Sequence, residues 1–519
     1  MIAELSQADV TTPVVVLKLD PNVLHHGGLG VIRSLGRLGV PVYGVHEGRW
    51  APAASSRYLA GRVLRPPPAD DPDRITAGLL RLARRIGRPA VLLPTDDAGA
   101  IYLAEQGQAL RGAFLFADPP AGLPRQLAGK YSLFQLCRDR GVPSPQAMLA
   151  CSAGEAADFA AQAGFPVIAK LTTPWRAASC QHGPPPRSTT IIRTPAGLAA
   201  AWQRCAAAGM GLMLQEYLPG GPGQDWFFHG YCGTAGCQPA FTGVKDRSYP
   251  AHAGLTSLGR AVPNAELRDQ VTGLLGALGF RGIVDLDLRF DPRDGQYKLL
   301  DFNPRLGAQF RLFEDTAGVD VARAAYLDLT GQPIAGHAMV SGRRFLVENY
   351  DPLGAAGYWR AGELGLPSWA ASLRGVDELA WFARDDLRPF GLMCLRMGWQ
   401  AARRVPGAGR GLARRARRQR SAGHRAGEPV LAGQAAVAGE AGLAAEAGRA
   451  AGGSSVGLAG RAGEAGRAGE VAVTGKAARV GEAGRAAGVF PPGPRSARSG
   501  DPGFQGGRLP GIQKGNQHD

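Results

Sequence analysis

Residues 282–305 read GIVDLDLRFDPRDGQYKLLDFNPR, two segments of alternating apolar and polar residues on either side of a DPRDG turn. Period-two alternation around a turn predicts an antiparallel hairpin. Folding about Asp294 places Asp287 opposite Asp301 and Asp285 opposite Asn303, with Val284, Leu286, Leu288, Leu300 and Phe302 on the other, apolar face. Pro304 has no backbone donor and closes off further pairing. Like charges directly opposite each other destabilise a ladder. A hard divalent cation between them removes the conflict, because Mg²⁺ takes oxygen ligands and keeps positions for phosphate and water. The plainer reading is a solvated edge kept soluble by its carboxylates. Arg305, two residues past the amide of Asn303, favours the cation, since a guanidinium beside it suits a phosphate.

Around this hairpin the chain of 519 residues is long enough for several domains. PVVVLKL is a continuous β-branched run that suits a buried strand; HHGGLG and the helical VIRSLGRLG follow it. PVYGV, ITAGLLRLARRIG, AVLLPTDD and AIYLAEQG continue the strand and helix alternation at the spacing of a parallel sheet. Residues 12–125 are thus expected to form a doubly wound α/β domain, with its crevice at the carboxyl ends of the strands near Gly27, Gly28, Gly30, Thr95 and Asp96. The glycines serve a tight turn as readily as a ligand. Glu47 lies near the distance of a dinucleotide-type acid but in the loop-like context HEGRW.

From 126 to 335 the order changes to antiparallel strands flanked by helices, an α+β domain. Residues 336–402, with Trp359, Trp369, Trp381 and Trp399, read as a mixed, mainly helical segment. Beyond 403 the chain becomes RRVPGAGRGLARRARRQR and then EAGRAGE-like repeats poor in aromatics, a composition that cannot bury enough apolar surface to offset chain entropy. A solvated, disordered tail is expected there, with contact of the 414–420 arginines to an anionic surface as the alternative. Roughly +11 of the formal net charge of +16 sits in this tail, so the overall basicity does not argue for a specific nucleic-acid partner. The seven cysteines have neither framework nor zinc-site spacing, which fits a reducing cytoplasm. MIAELSQADVTT lacks a basic then apolar leader, and no long apolar run occurs, so neither secretion nor membrane spanning is expected. A homodimer is left open.

The stretch ending LLDFNPR resembles the metal-binding hairpin of the ATP-grasp superfamily and is similar, without gaps, to that of carbamoyl-phosphate synthetases, whose pattern ends E-x-N-P-R. The resemblance implies that Asp287, Asp301 and Asn303 hold Mg²⁺ or Mn²⁺ and that Arg305 approaches the γ-phosphate of ATP. Asp301 stands where the family usually has Glu. Other segments agree in order. LAGKYSLFQLCRDRGVPSP looks like the family's opening helix, which implies that Lys130 contacts the nucleotide phosphates, and Lys170, ending PVIAK, matches the lysine that reaches phosphates and adenine. LMLQEYLPG looks like the adenine hinge, with Gln215 and the backbone of Tyr217 and Leu218 beside the base, and Asp225 sits where a ribose-binding carboxylate is expected. The flap that follows Lys170 departs from the glycine- and serine-rich pattern: LTTPWRAASCQHGPPPRS offers Thr172, Thr173, Arg176 and Ser179, but its three prolines remove donors.

The implied activity is ligation: ATP activates a carboxylate as an acylphosphate and an amine captures it, forming a C–N bond. Lys245, supported by Arg247, is the candidate for the substrate carboxylate or the γ-phosphate. Two other classes remain: a regulatory module that binds nucleotide without turnover, favoured by the unusual flap, and a metal-dependent glycosyltransferase, because DLD at 285–287 fits a D-x-D pattern.

Overall fold

The computed structural model describes residues 8–402 except 65, 173–188, 208, 222 and 253. The first strand, β1 (Val14–Leu17), is buried along its whole length, as β-branched runs are in parallel sheets covered on both faces. Helix α1 (Gly27–Gly36), β2 (Val42–His46), β3 (Leu59–Leu64), α2 (Pro72–Ile86), β4 (Ala90–Pro94), α3 (Asp97–Gln106) and β5 (Phe114–Leu115) complete the unit. The strands lie in the order β3-β2-β1-β4-β5, all parallel. The order reverses at β1, so the doubly wound expectation holds and the crevice opens between the carboxyl ends of β1 and β4. The third strand is absent from the strand and helix series expected from the sequence. It is an edge strand, and LAGRVL exposes alternate residues and carries Arg62.

Two helices, α4 (Leu123–Ala128) and α5 (Lys130–Arg140), lead into a four-stranded antiparallel sheet in the order β6-β9-β7-β8. Its strands are β6 (Ala147–Ala150), β7 (Val167–Leu171), β8 (Thr189–Ile192) and β9 (Leu212–Glu216). Helices α6 (Ala153–Ala163) and α7 (Pro195–Ala207) cover one face, burying Val167, Ala169, Leu171, Leu212 and Leu214. Ser152 caps α6 by accepting from Glu155 N at 3.1 Å, while the Glu155 carboxylate takes the N–H of Cys151, one residue before the cap, at 2.9 Å, so side chains satisfy two donors at the helix start. Because side chains alternate, Ile168, Lys170, Met213 and Gln215 share the other face.

That face looks toward a seven-stranded sheet, β14-β13-β10-β11-β12-β15-β16. It is built from β10 (Asp225–Gly233), β11 (Gly236–Tyr249), β12 (Leu255–Ala261), β13 (Gly282–Asp291) and β14 (Gln296–Asn303), with α8 (Ala265–Ala277) between β12 and β13. After α9 (Val321–Leu329), the stretch from 336 to 402 adds β15 (Arg344–Leu346) and β16 (Glu378–Leu379) to the sheet edge, along with helices α10 (Asp351–Arg360), α11 (Leu366–Ser372) and α12 (388–402). A continuous core joins α1 to this part of the chain: Leu29, Val31 and Ile32 pack with Phe310, Phe313, Phe345 and the fully buried Trp381.

The hairpin forms as the alternation requires at its open end. Asp285 pairs with Asn303 and Asp287 with Asp301. Beyond Asp287 the register slips, and Leu288 opposes Leu299. Leu300 therefore leaves the apolar face predicted for it. Leu299, 3% exposed, packs with Val284, Leu286, Leu288 and Phe302 against α5 and α8 instead. A one-residue bulge moves side chains between faces and takes a carbonyl out of the ladder. The freed Leu300 carbonyl accepts from Lys170 Nζ at 2.9 Å, which ties the hairpin to the four-stranded sheet.

Candidate active site

Period-two alternation lines one face of β13 with Asp285, Asp287 and Arg289, and the facing strand adds Asp301 and Asn303. Three lysines from three other elements converge on this face. Lys130, the first residue of α5, pairs with Asp301. Lys170 ends β7 and reaches Leu300 O, and Lys245 of β11 stands 3.3 Å from Asp287 Oδ1. Arg305 follows the hairpin and bridges two carboxylates, with Nη1 donating to Asp285 Oδ2 at 3.0 Å and Nε to Asp97 Oδ1 at 3.2 Å. Asp97 opens α3 at the crevice of the first sheet, so Arg305 links that crevice to the hairpin.

The electrostatics follow from burial and these pairings. Burial pushes the Lys170 ammonium down to about 8, although Asp301 pulls the other way. Burial also opposes the charge of Asp301, but Lys130 and Lys170 outweigh it and hold the carboxyl below its ordinary value. For Lys245, burial is outweighed by Asp287 and Asp225, which raise it. At Asp285 burial dominates over Arg305 and raises the carboxyl. His229 lies beside it, Nε2 to Oδ1 3.2 Å, and burial keeps its imidazole neutral by pushing it down to about 3.

The structure brings Lys130, Lys170, Lys245, Asp287, Asp301, Asn303 and Arg305 into one cleft between the two sheets. Gln215 is buried on the lysine-bearing face of the four-stranded sheet. Asp225 is held by Arg289, whose Nε donates to it at 2.6 Å and whose Nη1 donates to Leu218 O at 2.8 Å. That contact occupies the Leu218 carbonyl expected beside an adenine. Tyr217 is half-buried next to it. Arg247 does not support Lys245, because its fork grips Asp351 at 2.8 and 3.0 Å, away from the cleft. Asp285 is only 4% exposed and holds Arg305, which leaves a D-x-D pair on β13 with one carboxylate to offer. Thr173, Arg176 and Ser179 lie outside the described residues.

In the first crevice Asp96 is spent on the backbone: it accepts from Gly99 N, Leu19 N and Asp20 N, capping α3 and fixing the loop after β1. Gly30 has a packing role, since a Cβ there would come within 2.7 Å of the Phe310 ring. Glu47 pairs with Lys18. Arg289 and Asp97 are site residues that no sequence motif marks, and Asp285, one half of the D-x-D pair, serves here to hold Arg305. Parity along β13 points to Arg289; nothing local points to Asp97.

Among the described residues no three His, Cys, Asp or Glu side chains cluster tightly enough to hold a metal by themselves. Asp287, Asp301 and the amide oxygen of Asn303 form an all-oxygen partial set, which suits a hard ion that takes its remaining ligands from phosphate and water. Mg²⁺ or Mn²⁺ fits those residues.

No protein-family model and no curated protein matches the sequence. Solved structures that match include N5-carboxyaminoimidazole synthase from Aspergillus clavatus in complex with ADP and 5-aminoimidazole ribonucleotide, 14% identical with a TM-score of 0.46 over 63% of this chain and 79% of that one. The biotin carboxylase domain of Hydrogenobacter thermophilus 2-oxoglutarate carboxylase, with MgADP and bicarbonate, is 16% identical with a TM-score of 0.47, covering 65% and 74%. N5-carboxyaminoimidazole synthetase from Staphylococcus aureus complexed with ADP is 11% identical with a TM-score of 0.48, covering 65% and 83%.

Proposed function

We propose that this chain is an ATP- and Mg²⁺-dependent carboxylate–amine ligase of the ATP-grasp type. One observation carries the reading: two directly opposed carboxylates, Asp287 and Asp301, are each met by a single lysine and bracketed by a third, in a cleft between two sheets. Opposed acids with such sparse compensation are poised to exchange their lysines for a cation, releasing ammonium groups for phosphate oxygens. Asp287, Asp301 and Asn303 would hold Mg²⁺, which would supply positive charge against the phosphates. Lys130 and Lys170 then hold the phosphates, Gln215 and the strand end at Tyr217 and Leu218 border the base, and Asp225 faces the ribose.

Arg305 and Lys245 stabilise charge as the γ-phosphoryl group moves. A substrate carboxylate oxygen attacks the γ-phosphorus, forming the acyl–O–P bond as ADP leaves. An amine nitrogen then attacks the acyl carbon, phosphate departs, and the nitrogen loses its proton as the amide-like bond forms. Enclosure between the sheets protects the acylphosphate from water. The chemistry belongs at the side of Arg305 that faces Asp97, where the first crevice meets the hairpin.

The test has two stages. Thermal unfolding with MgATP, ATP plus chelator and Mg-UDP-sugars should show protection by MgATP alone, since a ligand that binds only the folded state raises the midpoint. ADP release with pools of carboxylates and amines, followed by mass spectrometry of the products, should show a new C–N bond. Protection without turnover in any pool would favour a regulatory nucleotide-binding module, and protection by UDP-sugars alone would favour glycosyl transfer.

A further inference from the structure

Helix α12 is apolar on two sides. Phe390, Met393 and Met397 pack on the core shared by α1 and Trp381. The opposite side presents Gly391, Leu395 and Trp399 at four-residue spacing, continuing the line of Leu387 just before the helix. Leu387 is 54% exposed, Leu395 70% and Trp399 57%. Trp50, 60% exposed, adjoins them: Arg396 Nη1 donates to its carbonyl at 3.4 Å, and the Arg49 guanidinium lies 5.0 Å from its ring centroid. A surface helix normally turns charge to water on the side away from the core. This one turns leucine and tryptophan outward and frames them with Arg49, Arg388 and Arg396.

The charge of the surrounding sequence is one-sided. From residue 387 through 427 there is no Asp or Glu, while eleven arginines occur, eight of them between 403 and 420. We propose that this face docks on an anionic lipid surface, with Leu395, Trp399 and Trp50 entering the interface and Arg49, Arg388 and Arg396 engaging headgroup phosphates. An in-plane helix with one side on protein and the other in the acyl boundary, next to a polybasic segment, has the two signals that stable peripheral binding requires. Tryptophan favours that boundary, with its apolar ring and polar N–H. Nucleic acid would satisfy the arginines but leave the leucines in water, and a second copy would set like charge against like. No described helix is long and apolar enough to cross a membrane, so the mode is interfacial. The inference is independent of what the cleft between the sheets binds.

Co-sedimentation of the full chain with vesicles tests it, using phosphatidylcholine alone against phosphatidylcholine mixed with phosphatidylglycerol. Partitioning should require the anionic lipid and fall about tenfold in Leu395→Glu/Trp399→Glu, as expected when apolar area is withdrawn from the interface. That variant should keep the wild-type unfolding midpoint and nucleotide response. A readout that spares the fold uses the exposed Cys394, labelled with an environment-sensitive dye in a Cys151→Ser/Cys180→Ser background; its emission should shift to the blue with anionic vesicles only. Absence of partitioning, partitioning unchanged in the double variant, or an unshifted dye on bound vesicles overturns the proposal. So does a dimer that the double variant disrupts, or nucleic-acid binding that depends on Leu395 and Trp399 while vesicles are ignored.

Discussion

Two sets of buried charge in this molecule use the same residue types in opposite ways. Over the middle strands β11 and β12 of the seven-stranded sheet, Asp351 is saturated: Arg247 forks onto both its oxygens, Ser257 Oγ donates at 3.2 Å and Trp369 Nε1 at 2.8 Å. Asp386 is likewise met by Arg33 Nε at 3.1 Å, Ser56 Oγ at 2.7 Å and Arg57 N at 2.9 Å, which straps the segment after β16 to α1. In the cleft, by contrast, Asp287 has one lysine at 3.3 Å and Asp301 has another, and their side chains remain 30% and 29% exposed. A carboxylate whose lone pairs are all taken by fixed donors holds structure. One with open lone pairs and a flexible lysine is available to a ligand.

The sharpest way to break this contrast is Asp351→Ala, which leaves Arg247 buried without a counter-ion. It should cost about 3–5 kcal/mol, seen as a lower denaturant midpoint. A loss no larger than that of Asp287→Asn would erase the distinction.

Acid titration extends the comparison to buried bases that have no carboxylate at all. His26 and His46 are each pushed down to about 4 by burial, from an ordinary 6.5. The unfolded chain takes up those protons first, so stability is fully present above 6.5 and is lost as the pH falls toward 4. Each histidine should contribute on the order of 3 kcal/mol across that window. His26→Phe, which suits neighbours Phe345, Tyr350 and Trp381, should flatten the fall. A curve identical to wild type would contradict the neutral buried state.

Next in size is the ligand-linked term. MgATP at a hundred times its dissociation constant should stabilise the wild type by about 2.7 kcal/mol. Asp287→Asn should remove that protection while leaving the ligand-free midpoint nearly unchanged, and protection that survived would place the nucleotide elsewhere. The smallest effect is a control. Ser152→Ala removes the cap of α6 and should cost about 1 kcal/mol with no change in nucleotide response.

Legibility divides along the same line. Alternation made the polar face of the hairpin readable, and with it Asp287, Asp301 and Asn303, because strand periodicity is local. It could not reveal the bulge at Leu300, which depends on how the hairpin packs against α5 and α8. Parity would have included Arg289, but its hold on both Asp225 and Leu218 needs a loop and a strand from far along the chain. Arg247 follows Lys245 by two residues, the spacing that puts both on one strand face, yet a register shift between them turns Arg247 to Asp351.

From its residues alone, this chain settles which side chains share a face where a strand runs unbroken, where the hairpin turns and where the parallel α/β unit gives way to antiparallel strands. Those depend on backbone geometry within a few residues, which composition and period already constrain. Tertiary structure decided which charges are saturated and which stay open, down to the contact of Arg305 with Asp97 across 208 positions of chain. Such contacts form only when separate layers pack, and packing is a property of the whole core.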